Sequence, residues 1–181
     1  SYKAGKASII GFLEDYASVI QGYVALYEIT FAVEWLQKAR ALTDFTLLHF
    51  WDSTEQLFYF NDKEAEPLFV RKKELFDNVI PASNSIMAMN LYKLGHYFDE
   101  ANYLSKAENM LRLMQKMLRQ DVRWVTNWAA LYTCFVEPPV DIAIVGPDAD
   151  LLRKEIQRYF IPNKFIVGST SPTNNLPLLE D

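Results

Sequence analysis

Two kinds of apolar pattern alternate along the first part of the chain. Between residues 13 and 27, apolar side chains occur on almost every side of a helical wheel, interrupted mainly by Gln21 and Gly22. This pattern predicts a helix that is enclosed by the rest of the protein. A second helix is predicted at about 31–50, after a capping Thr30, with one apolar and one charged face.

The same order recurs after a different kind of segment. Residues 51–80 contain the short runs LFYF and LFV, separated by NDKEAEP, which predicts a β-hairpin with a long loop. A third helix, apolar nearly all round, is predicted after Pro81, and a fourth, amphipathic helix from a cap at Asp99 to about Gln120. The segments LYEITFAVEWLQKA (26–39) and LGHYFDEANYLSKA (94–107) align without gaps, which gives a repeat of about 68 residues.

A repeated pair of one buried and one amphipathic helix is the building block of α/α toroids, in which inner helices form a barrel and outer helices cover it. A fifth helix at about 124–135 fits a further inner member, and EPP at 137–139 ends it. We therefore predict a mainly α fold: a partial (α/α)6 toroid of helical hairpins over residues 1–136, with the β-hairpin excursion at 51–80.

The pattern changes after residue 137. VDIAIVG predicts a buried strand, DADLLRKEIQRYF an amphipathic helix and KFIVGS a second strand, which together form a small βαβ unit with a right-handed crossover over 140–168. The tail from Thr170 to Asp181 is predicted to be loop. Because two strands do not make a stable sheet alone, either further strands follow or the pair docks on the helical part.

Composition and charge exclude several function classes. The net charge is -5 and the basic residues are scattered, so we expect no nucleic-acid partner. No apolar run is long enough to span a bilayer, and the start lacks the features of a signal peptide, so we predict a cytoplasmic protein without a membrane partner. The start also lacks Met and a helix-start signal, so we expect a piece of something longer.

Metal and nucleophile chemistry are not indicated either. The single Cys134 lies in an apolar run, which excludes an internal disulfide and predicts a buried, inert thiol. His49 and His96 have no carboxylate–histidine spacing of a metal site, and no local signature of a nucleophilic triad occurs. VGPDAD has one glycine and places acids at the helix start, where they would repel a phosphate. We predict no metal and no cofactor.

The starts of the predicted inner helices are polar although their bodies are apolar. The repeat offset places Asp15 and Tyr16 over Ser83 and Asn84. These residues either cap the helices or line one shared polar mouth, and the sequence leaves both interpretations open.

The 51–80 excursion adds aromatic and charged residues to such a mouth. Asp15 and Asp77 are candidates for a catalytic acid and base, with Arg71 or Lys73 keeping one carboxylate ionised. A sugar would stack on the rings of Trp51 and Tyr59, and its hydroxyls would bind Arg71, Lys73 and Glu74. The alternative is that VRKKELFD is a solvated charge run on a loop.

Several motifs together resemble a known family. YKAGKASIIGFLEDYA, WLQKA, FWD, EPLFVRKKELFDNVIPASNSIMAMNLYKLG and VDIAIVGPDAD…YFIPNKFIVG are similar to the C-terminal half of the YyaL-type thioredoxin-domain-containing proteins, the spermatogenesis-associated protein twenty family. The resemblance implies a thioredoxin-like domain ahead of a barrel similar to N-acylglucosamine 2-epimerases and six-hairpin glycosidases. The family motif Pro-Ser-Gly-Asn-Ser differs at Ala82 and Ser83, which leaves Asn84 and Ser85 as the firmer matches.

The resemblance also implies site residues in a sugar-binding barrel mouth. By position these are Asp15 and Tyr16 from LEDYA, Lys73, Glu74 and Asp77 from KKELFD, and Asn84 and Ser85. The leading hypothesis is a carbohydrate-active or sugar-binding protein whose full-length form is isomerase-like, epimerase-like or glycosidase-like. The alternative is a non-catalytic helical scaffold attached to a thioredoxin-like domain, with protein clients as partners.

Overall fold

The computed structural model describes residues 2–3, 5–7, 10–65, 71–170 and 176–179. This part of the chain is mainly helical, with three small sheets. The helices are α1 (Leu13–Thr30), α2 (Val33–His49), α3 (Ser83–Tyr97), α4 (Ala101–Gln120), α5 (Thr126–Val136) and α6 (Ala149–Ile156), with 3₁₀ turns at Val122–Trp124 and Pro177–Leu179. The strands are β1 (Tyr2–Lys3), β2 (Lys6–Ala7), β3 (Trp51–Asp52), β4 (Leu57–Phe58), β5 (Val140–Val145) and β6 (Lys164–Ser169).

The two helical hairpins predicted from the repeat are present. α1 packs against α2, α3 packs against α4, and α1 and α3 contact each other. The approach within the second hairpin is close, since a Cβ on Gly95 would lie 2.7 Å from the Leu104 side chain. The closed ring of a toroid stays a prediction, because the described residues contain only these hairpins and α5.

Burial separates the two predicted inner helices. α3 buries most of its residues, because α1, α2, α4, α5 and β6 all contact it. The prediction that α1 is also enclosed is wrong, since Val19 is 45% and Ile29 52% exposed. α1 buries a single stripe, formed by Leu13, Ala17, Ile20, Val24 and Tyr27. Apolar residues all round a helix were therefore a misleading sign of enclosure in α1.

Two predicted helix caps are also wrong. Thr30 is the last residue of α1, where its hydroxyl donates to the Leu26 carbonyl at 2.6 Å, and the N-cap of α2 is Ala32. Asp99 adopts a left-handed backbone with φ of 50°, and the N-cap of α4 is Glu100. In both cases the chain needs one or two extra residues to reverse direction before the second helix begins.

The hairpin after α2 is shorter than predicted. β4 lies within LFYF as expected, but its antiparallel partner is Trp51–Asp52, upstream of it, instead of a strand in LFV. Gln56 takes the positive φ of 55° that the tight reversal requires. The LFV run at 68–70 lies outside the described residues.

The predicted βαβ unit is confirmed as two parallel strands joined through α6, with Val140 opposite Lys164 and Val145 opposite Ser169. Of the two possibilities left open by the sequence, docking on the helical part is observed. Phe165 of β6 contacts the rings of Tyr92, His96 and Tyr97 on α3. The helices and β6 therefore share one apolar core.

The tail is not all loop in the part that is described, because Leu176 is fully buried and a 3₁₀ turn follows it. No helix among the described residues combines the length and the apolar character needed to cross a bilayer.

Candidate functional site

A groove of about 610 Å³ lies at the N-terminal ends of three helices. Glu14 from the first turn of α1, residues 72–82 from the loop before α3, and Trp124 from the turn before α5 line it. Positive ends of helix dipoles and backbone N–H groups gather at such a place. The residues predicted from the sequence can be located relative to this groove.

Asp77 joins the starts of α3 and α5 from the floor of the groove. Its carboxylate is buried and accepts the backbone N–H groups of Ala82 at 3.0 Å and Asn127 at 2.9 Å. The Thr126 hydroxyl donates to the same carboxylate at 3.2 Å, and the Ser85 hydroxyl lies 3.4 Å from it. Asp77 therefore caps two helices at once, and both of its oxygen atoms are engaged.

Asn84 and Ser85 lie beneath the groove. The Asn84 amide accepts the Phe58 N–H at 2.8 Å and donates to the Phe58 carbonyl at 2.9 Å, so it pairs with β4 as a neighbouring strand would. The Ser85 hydroxyl lies 2.8 Å from the Ala82 carbonyl and accepts the side-chain amide of Asn127 at 2.9 Å. Both side chains are fully buried, so they hold the groove from below.

Asp15 and Tyr16 are at the start of α1 but do not line the groove. The Asp15 carboxylate is on the exposed side and accepts the Phe12 N–H at 2.8 Å, which is a helix-capping contact. Tyr16 packs on Phe45 and Phe50 of the α2 region, and burial, followed by the charges of Asp62 and Asp15, raises its pKa. The structure brings Asp15 into no hydrogen bond with Asp77.

The offset of the sequence repeat does not match the structural alignment of the helix starts. Asp15 is the third residue of α1, and the third residue of α3 is Ser85. The sequence alignment had paired Asp15 with Ser83, two residues earlier. Ser83 instead is the first residue of α3, with its hydroxyl 3.4 Å from the Glu74 carboxylate.

The described part of the charged run, residues 71–77, is only partly solvated. Lys73 is held on the hairpin by Asp52 at 2.5 Å and Glu55 at 2.6 Å, with 11% of its side chain exposed. Burial lowers the Lys73 pKa, but its two carboxylate partners outweigh burial and raise it. The hydrogen bond from Lys73, then that from Tyr59, holds the Asp52 pKa well below its usual range.

The remaining predicted residues serve the hairpin. The Arg71 guanidinium lies 3.8 Å from the centre of the Tyr59 ring and donates to the Asn61 carbonyl at 2.8 Å. Trp51 packs on Phe58, with the Lys106 ammonium 4.8 Å from its ring centre. Neither lines the groove, so only Lys73, Glu74 and Asp77 of the predicted set do.

Sequence reasoning missed Glu14, Trp124, Thr126 and Asn127. Glu14 is adjacent to the chosen Asp15, and helical spacing alone does not tell which of two neighbouring acids faces an opening. Thr126 and Asn127 follow Val125 as a polar pair at the start of an apolar helix, which is the same signal that singled out the other two helix starts. The same signal would therefore have identified Thr126 and Asn127.

No cluster of three or more His, Cys, Asp or Glu suited to a metal occurs in the part that the structure describes, and both histidines lie against aromatic rings. His49 stacks on Phe45, with its Nδ1 3.2 Å from the Asp62 carboxylate. His96 lies among aromatic rings, and burial lowers its pKa. Burial raises the pKa of the half-buried Cys134 thiol.

Comparison with known proteins gives relatives of low identity over most of the chain. The chain is 28% identical over 162 residues to spermatogenesis-associated protein 20 of Homo sapiens, which covers 87% of this chain and 21% of that protein. The mouse protein of the same name is 26% identical over 162 residues, and the uncharacterized protein B0495.5 of Caenorhabditis elegans is 26% identical over 167 residues.

These relatives support the family resemblance, and the chain spans about a fifth of their length. No protein-family model matches the chain. The thioredoxin-like domain and the glycosidase-like barrel stay predictions.

Proposed function

We propose that the groove at the starts of α1, α3 and α5 binds a sugar or a similar polyhydroxylated ligand. The observation that carries the proposal is the convergence of two carboxylates from separate elements, Glu14 and Glu74, with the exposed Trp124 indole around one opening. Its volume of about 610 Å³ is in the range of small-molecule sites.

Each component has a role that sugar chemistry requires. The Trp124 ring, 53% exposed, offers a flat apolar face on which the C–H side of a pyranose stacks. The Glu14 and Glu74 carboxylates accept hydrogen bonds from ligand hydroxyls. Because both Asp77 oxygens already accept helix N–H groups, Asp77 positions the α3 and α5 starts that frame the groove.

The carboxylates that a ligand in the groove can reach decide the chemistry of this site. The assignment of Asp15 and Asp77 as an acid and base pair stays a prediction. Glu14 and Glu74 line the groove with carboxylates that cap none of the described helices. The Glu74 carboxylate has the Lys72 ammonium at 2.8 Å and the Ser83 hydroxyl at 3.4 Å, so these two contacts hold the side chain at the groove. We therefore assign Glu74 to ligand binding.

The test is a thermal-shift screen of hexoses, N-acetylhexosamines and disaccharides, followed by calorimetric titration of any sugar that stabilises the chain. We expect Glu14→Gln, Glu74→Gln and Trp124→Ala each to weaken binding about tenfold or more, the loss of one good contact. The matched control is Glu108→Gln on α4, because this acid pairs with Arg112 and does not line the groove. Absence of any sugar response, or equal binding by all four variants, would refute the proposal.

A second candidate is the helical scaffold that contacts a protein client. The observation that favours it is the apolar rim of the groove, where Val79 is 94% and Ile80 57% exposed. Apolar side chains this exposed are typical of contact surfaces. In that case Val79→Ser with Ile80→Ser abolishes client binding by the full-length protein, whereas Glu74→Gln leaves it unchanged and no sugar shifts the melting temperature.

A further inference from the structure

The two strands of the parallel sheet differ in how far they are enclosed. On β6, Phe165, Ile166 and Val167 are each at most 2% exposed, since α3 covers one face and α6 the other. On β5, Val140 is 44% and Val145 53% exposed. Parallel strands are normally covered on both faces, and their apolar sequences reflect this. VDIAIV has such an apolar sequence, but Ile144 is its only buried residue.

The hydrogen bonds at the two ends of the β5–β6 pair show which backbone N–H groups of β5 point toward β6. The N–H of Val140 donates to Asn163, and the N–H of Gly146 donates to Ser169. Because successive N–H groups in a strand point to opposite sides, those of Asp141, Ala143 and Val145 face away from β6. Within the described residues, no acceptor is present for these three groups.

The opposite edge of the sheet is closed. The N–H groups of Ile166 and Gly168 face away from β5 by the same alternation. The Tyr97 hydroxyl faces the Ile166 N–H and the Tyr27 hydroxyl faces the Gly168 N–H, and the Tyr27 hydroxyl reaches no full hydrogen bond. The Phe31 ring also lies so close to Gly168 that an added Cβ would be 2.1 Å from it. No strand can add beside β6.

The helix that connects the two strands also exposes apolar side chains. Leu151 is 66% and Leu152 52% exposed, in a helix that covers the β5–β6 pair with Ala149 and Ile156. An unpaired strand edge such as that of β5 is a template for another strand. Two-stranded sheets are also marginal by themselves, whereas a third strand adds independent stability.

We infer that the outward edge of β5 binds an extended, mainly apolar segment of the longer polypeptide, which adds as a third strand. A second copy fits less well, because a six-residue edge is far smaller than the 20 to 30 residues a side, roughly, of a stable interface. A segment of the same polypeptide has no such requirement, since it is already tethered. The human relative has about four-fifths of its length outside the region matched here, and a polypeptide of that length contains further segments that can add as a strand.

The test compares amide hydrogen exchange in the 181-residue chain and in the product of the whole gene that encodes it, which the inference requires to be longer. We expect Asp141, Ala143 and Val145 to exchange about tenfold or more slowly in the longer polypeptide, as a new ladder would require. The amides of Ile142 and Ile144, which face β6, are slow in both and provide the internal control.

A pair of proline variants separates edge pairing from general stability. Ala143→Pro removes an outward N–H and Ile142→Pro an inward one. We expect Ile142→Pro to lower the melting temperature of both proteins. Ala143→Pro should abolish the slow exchange of the Asp141 and Val145 amides in the longer polypeptide. In the isolated chain, Ala143→Pro should leave the melting temperature within a few degrees of that of the parent.

Three results would overturn the inference. The outward amides could exchange equally fast in both proteins, which leaves the edge empty. They could be slow in the isolated chain as a monomer, which means that the edge is already filled. They could be slow there only at high concentration together with a dimer mass in light scattering, which assigns the edge to a second copy.

Discussion

Replacement of Asp77 by alanine removes a carboxylate that serves two helix starts. Its four hydrogen-bonding partners are two backbone N–H groups, Ala82 and Asn127, and the hydroxyls of Thr126 and Ser85. The residue is only 8% exposed, so water cannot fully replace the lost oxygens. The N–H groups at the starts of α3 and α5 then remain without an acceptor.

The magnitude follows from these contacts. A lost helix cap costs about 1 kcal/mol, and two caps about 2 kcal/mol. Because the carboxylate that caps both N–H groups is buried, the cost of each lost cap lies toward the upper end of its range, about 2 kcal/mol, so we expect Asp77→Ala to reduce the free energy of unfolding by about 2 to 4 kcal/mol. For a chain of this length that corresponds to a melting temperature lower by roughly 10 °C.

The assay is equilibrium unfolding in urea, followed by far-ultraviolet circular dichroism, for three variants. Asp77→Asn keeps one acceptor oxygen and is expected to cost less, about 1 to 2 kcal/mol. Asp15→Ala removes one exposed capping contact at the start of α1 and is expected to cost about 0.5 to 1 kcal/mol. If Asp77→Ala costs less than about 1 kcal/mol, Asp77 does not hold the two helices together, and its carboxylate is free for chemistry.

Three further predictions address other parts of the fold. Gly22→Ala should stabilise the chain by about 0.5 to 1 kcal/mol, because a Cβ at this helical position meets no other atom. Gly95→Ala should destabilise the chain by about 1 to 3 kcal/mol, because its Cβ would collide with the Leu104 side chain. Equilibrium unfolding in urea measures both changes. Asn84→Ala should cost about 2 to 4 kcal/mol by the same measurement, because two buried Phe58 backbone groups lose their partner. The hydrogen bonds from Lys73 and then Tyr59 lower the Asp52 pKa in the folded state, so their stabilisation is present above the usual value of 3.8 and decreases as the pH falls below it. The loss of melting temperature between pH 7 and pH 3 (~4 units, across the usual Asp range) should therefore be smaller in Asp52→Asn than in the parent, and an equal loss would contradict this assignment.

Local sequence patterns located the helices, since each needs only neighbouring residues. The 3.6-residue periodicity predicted α2 and α4, and the aliphatic runs predicted β5 and β6. Helix boundaries were less certain, because a reversal such as that at Phe31, with φ of 58°, depends on backbone geometry that many residues can adopt. This is why Thr30 and Asp99 were misassigned as caps.

The type of candidate site could be predicted from the sequence, but the residues that line it could not. The sequence indicated polar helix starts near a charged loop, and three helix starts do meet at one groove. It could not tell Glu14 from Asp15, because one residue turns the side chain by about 100° around the helix, and only the packed neighbours decide which direction is open. Asp77 was chosen for its charge, whereas its burial between α3 and α5 makes it a double cap.

The sequence by itself determined the positions of the helices and of strands β5 and β6, the repeat of two helical hairpins, and the change to a βαβ unit. Only the tertiary structure decided that α1 leaves one side open while α3 is enclosed, and that β6 is sealed by Tyr27, Tyr97 and Phe31 while β5 is not. Periodicity reports what a segment could bury, but exposure is set by neighbours that are distant in sequence. The same apolar pattern therefore forms core in one helix and open surface in another.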